Sequence, residues 1–372
     1  MKVLIAGDYV PRDRVACQLN SDQFDSVWDG VRDIIQKADY SLVNLECPVS
    51  NKKNLIPIRK VGPNLICSSK GIDALLRVGF NCVSLANNHI RDFGGEGVEE
   101  TLKMLKEKNI EYVGAGMVLS EASQILYKEI NGKKLAIINC CEHEFSIATN
   151  TSAGSNPLNP IQQYYAIKKA KKEADYILVI IHGGHEHFQL PSPRMVETYR
   201  FFIDAGADVV VNHHQHCYSG YEIYNRKPIF YGLGNFCFDN PVKQEGIWTE
   251  GYMVSIDFLS EIPSFEIHPY KQCAKEPCIK LLAKDAFKEQ LIKINEIISN
   301  QKTLLTEINK YYDSCESQYS NIFEPIQNRF YLAAKKRGWL PSLISNTRKI
   351  IAANYIICEA HRDKLIHWLS KY

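Results

Sequence analysis

The sequence predicts an α/β fold built around a largely parallel sheet, followed by a helical C-terminal extension. Two observations lead there. Six short apolar runs, rich in Val and Ile, each end in a polar residue able to bind metal. Stretches of helical periodicity lie between them, which is the strand–helix–strand rhythm of parallel sheets. Apolar runs of this length read as strands buried on both faces.

The first run, 2–6, leads into Gly7-Asp8, and the second, 40–43, into Asn44-Leu45-Glu46. Residues 82–86 lead into Asn87-Asn88-His89, and 135–138 into Asn139-Cys140-Cys141-Glu142-His143-Glu144. Residues 176–181 lead into His182-Gly183-Gly184-His185-Glu186-His187, and 208–211 into Asn212-His213-His214-Gln215-His216. Helical patterns occupy 24–38, 70–78, 95–108, 161–174 and 195–205. Ligands in open α/β sheets sit beyond the carboxyl ends of strands. The polar residues are therefore expected along one rim of a sheet. Short segments at 220–223, 228–231, 251–258 and 264–268 read as antiparallel strands, and a second sheet packed on the first fits them.

From about residue 280 the helical period returns. Phe287, Leu291, Ile294 and Ile298 follow it, then Leu305, Ile308 and Tyr312, with a last helix expected over 346–371. The domain reading is 1–270 for the α/β part and 271–372 for the extension. Residues 329–372 hold nine Lys or Arg, the last being Lys371, against Glu359 and Asp363. With Trp339 and Trp368, this basic tail reads as a cap or homo-oligomer contact, or as a peripheral contact with an anionic membrane surface or polymer.

Bulk properties narrow the classes. The 372 residues are 45% hydrophobic and 23% charged, as in ordinary globular proteins. A net charge of +2 offers no general argument for nucleic acid. None of the twelve cysteines forms a C-x-x-C pair, and several lie within strand patterns. Reduced, buried thiols of a cytoplasmic protein fit better than a disulfide framework. No run approaches the length of a transmembrane helix, and residues 3–6 are too short for a signal-peptide core.

Eight of the eleven histidines fall between His89 and His216. His214-x-His216 places two imidazoles on one side of an extended segment. His182 ends a separate strand, Asp8 and Glu46 supply carboxylates, and Asn88 an amide oxygen. This mixed nitrogen and oxygen set suits one or two divalent transition metals, Mn, Fe or Zn, better than Ca or Mg. His213 and His187 read as packing or solvent-facing. Arg14 and Lys60 fall early in loops near the expected rim, where a cation can clamp an anionic substrate or merely meet solvent.

The ordered motifs resemble a family. Gly7-Asp8, Asn44-Leu45-Glu46, residues 85–89 with Asp92-x-Gly94, Gly114-Ala115-Gly116, His182-Gly-Gly-x-Glu186, Gly206-Ala207-Asp208, His214-x-His216 and residues 229–236 follow the order of the CapA (poly-γ-glutamate capsule biosynthesis) family. That family is similar to the calcineurin-like metallophosphoesterases, and the match covers roughly 1–260. The resemblance implies a four-layer α-β-β-α sandwich of metallophosphoesterase type. It implies Asp8, Glu46, Asn88, His182, His214 and His216 as metal ligands, with Glu46 bridging, and His89 as a substrate-facing catalytic histidine. Asp92 is placed to orient His89, and Glu186 to sit behind the ligands or on the substrate. Asp8 lacks the usual D-x-H partner, and Asn44-Leu45-Glu46 replaces G-D-x-x-D, both as in CapA-like chains. The function expected is a metal-dependent hydrolase of an anionic small molecule or polymer, acting on a phosphoester or γ-glutamyl amide. The alternative is a non-catalytic accessory protein that binds an anionic polymer.

Overall fold

A computed structural model describes residues 1–28, 30–260 and 262–369. Lys371, at the end of the expected last helix, lies outside them. The chain divides into two compact units, Met1–Leu304 and Leu305–Tyr372.

The six apolar runs do form strands, but they are shared between two sheets. One sheet runs in the order Ile279–Leu281, Ser264–Gln272, Glu250–Asp257, Lys2–Val10, Tyr40–Leu45, Cys82–Ser84 and Glu111–Val113, with Asn235–Phe238 also pairing to Lys2–Val10. The other runs Tyr221–Tyr224, Lys227–Phe230, Val209–His213, Tyr176–His182, Lys133–Cys141 and Leu126–Ile130. The single rim expected from sequence is therefore two rims, one from each sheet. The later antiparallel strands build no sheet of their own. Tyr221–Tyr224 extends one sheet through Lys227–Phe230, and the hairpin of Glu250–Asp257 with Ser264–Gln272 extends the other.

Helices cover the outer faces. Lys70–Val78 and Gly94–Glu107 bury Leu75, Val98 and Leu105 in the core of the first sheet, while Pro160–Glu173 and Pro193–Ala205 pack on the second. The inner faces meet through aromatic contacts such as Phe230 with Phe265 and Tyr176 with Phe258. This is the four-layer α-β-β-α sandwich. Local signals set the helix starts. Asn159 accepts from the amides of Ile161 and Gln162, and Ser192 from that of Met195; each precedes a proline. The helix expected over 24–38 is broken into Asp25–Trp28 and Arg32–Gln36. Between them a Cβ on Gly30 would stand 2.8 Å from the Ile279 carbonyl oxygen, so the chain must pass the edge strand there as glycine.

The first unit also runs further than residue 270. Ile279–Leu281 pairs with Ser264–Gln272, Phe287 stacks on Tyr218 at 4.6 Å, and Asn295 accepts from the Tyr221 amide. The helix Lys288–Ser299 thus belongs to the sandwich. In the second unit Lys335, Ser342 and the Leu343 amide converge on the carboxylate of Glu324. Trp339, Ile350 and Ile357 stand exposed there. Among the described residues no helix is long and apolar enough to cross a membrane.

Candidate metal centre

Strand register brings the candidate ligands together. Asp8 lies opposite Asn44 and Asn235, and His182 opposite His213 and Cys141. The Lys2–Val10 strand slips register on both sides at Asp8, a bulge that re-aims the side chain. Glu46 follows directly on Tyr40–Leu45. Asn88 and His89 follow Cys82–Ser84 after three residues. His214 and His216 leave the Val209–His213 strand with φ of +91° and +53°, a left-handed backbone that non-glycine residues adopt at a cost.

Two groups of donor atoms result, each within 4.8 Å: Glu46 with His182 and His214, and Asp8 with Glu46 and His216. Glu46 belongs to both. Its Oε1 lies 3.3 Å from His182 Nε2 and 3.8 Å from His216 Nε2. His182 Nε2 lies 3.0 Å from His214 Nδ1 and 3.1 Å from Asn88 Oδ1. His216 Nδ1 lies 3.6 Å from Asp8 Oδ2. All six residues expected as ligands are buried and converge here.

Burial and the charges of the neighbouring side chains set the electrostatics of the cluster. Burial pushes the Asp8 carboxyl up, but the imidazoles of His216, His213 and His182 outweigh it and hold it well below the usual range. Burial and the neighbouring Asp8 push Glu46 well above the range of a free carboxyl. Burial and then His214 push His182 well below the ordinary imidazole value. Burial also depresses His216, yet Glu46 and Asp8 reverse this and raise it to about 10. Neither oxygen of Glu46 has a hydrogen-bond partner among the described residues. A buried carboxylate without donors is costly, and a divalent cation between the two groups would remove that cost. The donor set fits such ions.

His89 and Asp92 stand together. Asp92 Oδ2 lies 2.7 Å from His89 Nδ1 and also accepts from the Leu65 amide at 2.6 Å. Lys60 does not face solvent as a substrate clamp. Its side chain is 2% exposed, and its ammonium pairs with Asp92 and reaches His89 Nδ1 at 3.0 Å. Arg14 is likewise spent elsewhere. It lies within the helix Asp13–Asn20, not a loop, and its guanidinium binds Asp239 at 2.6 Å and the carbonyls of Cys273, Ala274 and Lys275. Glu186 sits within the influence of the cluster. Burial raises its carboxyl, and His216, His214, His187 and His89 more than offset this.

A model of the family described as "Bacterial capsule synthesis protein PGA_cap" matches residues 2–240. The chain belongs to that family. All the candidate ligands lie inside the matched span. The chain is 34% identical over 249 residues to "Capsule biosynthesis protein CapA" of Bacillus anthracis, a match covering 64% of this chain and 60% of that one. It is 36% identical over 219 residues to "PGA biosynthesis protein CapA" of Bacillus subtilis (strain 168), covering 58% and 57%. The chain thus spans less than two thirds of the length of these relatives. Among solved structures, a putative 5'-nucleotidase from Staphylococcus aureus, in complex with alpha-ketoglutarate, aligns with a TM-score of 0.42 and 12% identity, over 78% of this chain and 57% of that one.

In this PGA_cap member, several residues around the candidate ligands make contacts that a reading of the sequence does not give. Asn44 Nδ2 donates to Asp8 Oδ1 at 2.7 Å and lies 3.2 Å from His182 Nδ1, touching one ligand from each donor group. Glu144 accepts from Asn88 Nδ2 at 2.9 Å, which turns the Asn88 amide oxygen toward His182. Ser146 holds the Asn88 carbonyl at 2.6 Å. Asn235 Oδ1 lies 2.9 Å from His216 Nδ1. His213 is fully inside the cluster, its Nδ1 3.5 Å from Asp8 Oδ1. The motif neighbours Asn44 and Asn235 were visible in the sequence, but their roles depend on register between strands far apart in the chain.

Gly7 is fixed by the same bulge. A Cβ there would lie 1.9 Å from the Gly234 carbonyl oxygen, which accepts the Asp8 amide at 3.1 Å. Gly7→Ala is expected to cost about 3 kcal/mol by forcing two backbones apart. The check is a thermal melt; an unchanged melting temperature would contradict the close approach.

Proposed function

We propose that the chain is a metal-dependent hydrolase of an anionic substrate in capsule or polyglutamate synthesis, the candidate bonds being phosphoesters and γ-glutamyl amides. The observation that carries this reading is Glu46: a fully buried carboxylate, without hydrogen bonds among the described residues, shared by two groups of metal-binding side chains. Glu46, His182, His214 and Asn88 would hold one divalent ion, and Asp8, Glu46 and His216 a second. The mixed donors favour Mn, Fe or Zn. Bound there, such ions would supply Lewis-acid stabilisation of charge at the scissile group and activation of water.

The chain's own residues do the rest. Asp92 accepts a hydrogen bond from Nδ1–H of His89 and so fixes its tautomer, leaving Nε2 as the ring nitrogen for substrate. The Lys60 ammonium keeps Asp92 in its acceptor role. In its protonated form, with Nδ1–H on Asp92 and Nε2–H toward the substrate, His89 can donate to the leaving group or bind the developing oxyanion. Asn44, Glu144 and Asn235 hold the ligands in orientation, a task whose loss usually weakens metal binding by about 10–100-fold.

The test is a substrate screen of phosphomonoesters, phosphodiesters and γ-glutamyl peptides on chelated and metal-restored protein. Turnover of at least one class should return with Mn, Fe or Zn. Binding of an anionic polymer without metal-stimulated turnover of any class would instead identify an accessory protein.

A further inference from the structure

His213 ends the strand Val209–His213, directly before the left-handed backbone of His214 and His216. Its place in the ladder fixes where its ring goes. It lies in register with His182 of the neighbouring parallel strand, and residues paired in this way point to the same face of a sheet. Asn212, one residue earlier, points to the other face, where Tyr199 of the helix Pro193–Ala205 donates to it at 2.7 Å. The His213 ring is thus directed between the two sheets, into the cluster. It is 2% exposed, and neither ring nitrogen has a hydrogen-bond partner among the described residues. Burying polar atoms without partners is costly, and an aliphatic side chain would fill the same space without that cost.

The ring faces Asp8. His213 Nδ1 lies 3.5 Å from Asp8 Oδ1, the oxygen that also accepts from Asn44 Nδ2 at 2.7 Å. Asp8 Oδ2 turns the other way. It accepts from the His214 amide at 3.2 Å and lies 3.6 Å from His216 Nδ1. The carboxylate therefore offers one oxygen to Asn44 and His213 and the other to the side of His216, with which Asp8 and Glu46 form a donor group. His213 belongs to neither donor group, so its route to an ion runs through Asp8. Burial favours the neutral ring against the pull of Asp8, and a neutral ring has one N–H to place. The separation is longer than a good hydrogen bond. The interaction is that of an N–H dipole beside a buried negative charge, where a low dielectric strengthens it.

We propose that His213 is a positioning residue for Asp8: its Nδ1–H holds Oδ1 beside Asn44 and so keeps Oδ2 toward the ion of the Asp8–Glu46–His216 group. This role rests on the cluster being a metal centre, and on no step of the reaction. It also accounts for an imidazole where an aliphatic residue would pack at lower cost, because an aliphatic residue offers Asp8 no donor.

The test is calorimetric titration of the chelated full chain with Mn²⁺ and, separately, Zn²⁺. Asp8→Ala identifies the binding step that depends on Asp8. His213→Leu should weaken that same step about 10–100-fold, the usual scale for losing a group behind a ligand. His213→Asn, whose amide nitrogen can stand near the Nδ1 position, should recover most of the affinity. His213→Gln, whose amide reaches the Nε2 position instead, should not. In the Asp8→Ala background His213→Leu should change nothing further, since the two side chains act as one unit. Wild-type affinity in His213→Leu would overturn the role, as would a full His213→Leu effect in the Asp8→Ala background. Equal losses in the Leu, Asn and Gln variants would make the ring a packing element and overturn it as well. Should His213→Leu fail to fold in a circular-dichroism melt, the Asn and Gln variants decide between these outcomes. The two readings fail separately. A wild-type chain that takes up neither ion removes the metal centre and this role together, whereas normal uptake that no His213 variant alters removes the role alone.

Discussion

Replacing His214 and His216 together with alanine is expected to empty the centre of metal and abolish turnover, with the fold retained. His214 belongs to one donor group and His216 to the other, so the double change opens both at once. Each group is cut to two side chains, Glu46 with His182 in one and Glu46 with Asp8 in the other. Metal affinity should fall by more than the roughly 100-fold that loss of a supporting hydrogen bond can cause. The fold should survive because both residues lie past the end of the Val209–His213 strand and outside its ladder. Alanine at their positive φ values keeps the strain that histidine already bears, so the expected loss of stability is small beside that of a core truncation. Elemental analysis and a circular-dichroism melt check the two halves of this expectation. A double variant that retains metal at the wild-type level would remove both residues from the ligand set.

The second large effect falls on His89. His89→Ala should lower turnover by roughly 10²–10⁴-fold, the usual contribution of a positioned acid–base group. Metal content should hold, because His89 belongs to neither donor group. KM should change little, since the interaction lost is made mainly in the transition state. Steady-state kinetics beside elemental analysis separate the outcomes. Loss of metal in His89→Ala would make it a ligand, and unchanged turnover would leave it a buried structural histidine held by Asp92 and Lys60.

Much of this candidate site was legible in the sequence alone. Asp8, Glu46, Asn88, His182, His214 and His216 each follow a strand pattern, and chain ends of buried strands are where side chains meet. Pairing was not legible. Runs buried on both faces look alike whichever sheet they join, so one rim was expected where two sheets each supply one. Long cations were the other loss. Nothing in the local sequence tells whether Lys60 faces water or the carboxylate of Asp92, thirty-two residues away, or that Arg14 would find Asp239 at the far end of the matched region. The interruption at Gly30 and the continuation of the first unit to Leu304 have the same cause. Both depend on the edge strand Ile279–Leu281 or the helix after it, and tertiary contact decided them over local periodicity.

The most direct measurement is anomalous diffraction from crystals of the metal-loaded protein, recorded on both sides of the Mn, Fe or Zn absorption edge. The account expects anomalous density in contact with Glu46, within the His182–His214 group, the Asp8–His216 group, or both. Metal density away from Glu46, or a Glu46 carboxylate in loaded protein that touches no ion, would contradict it.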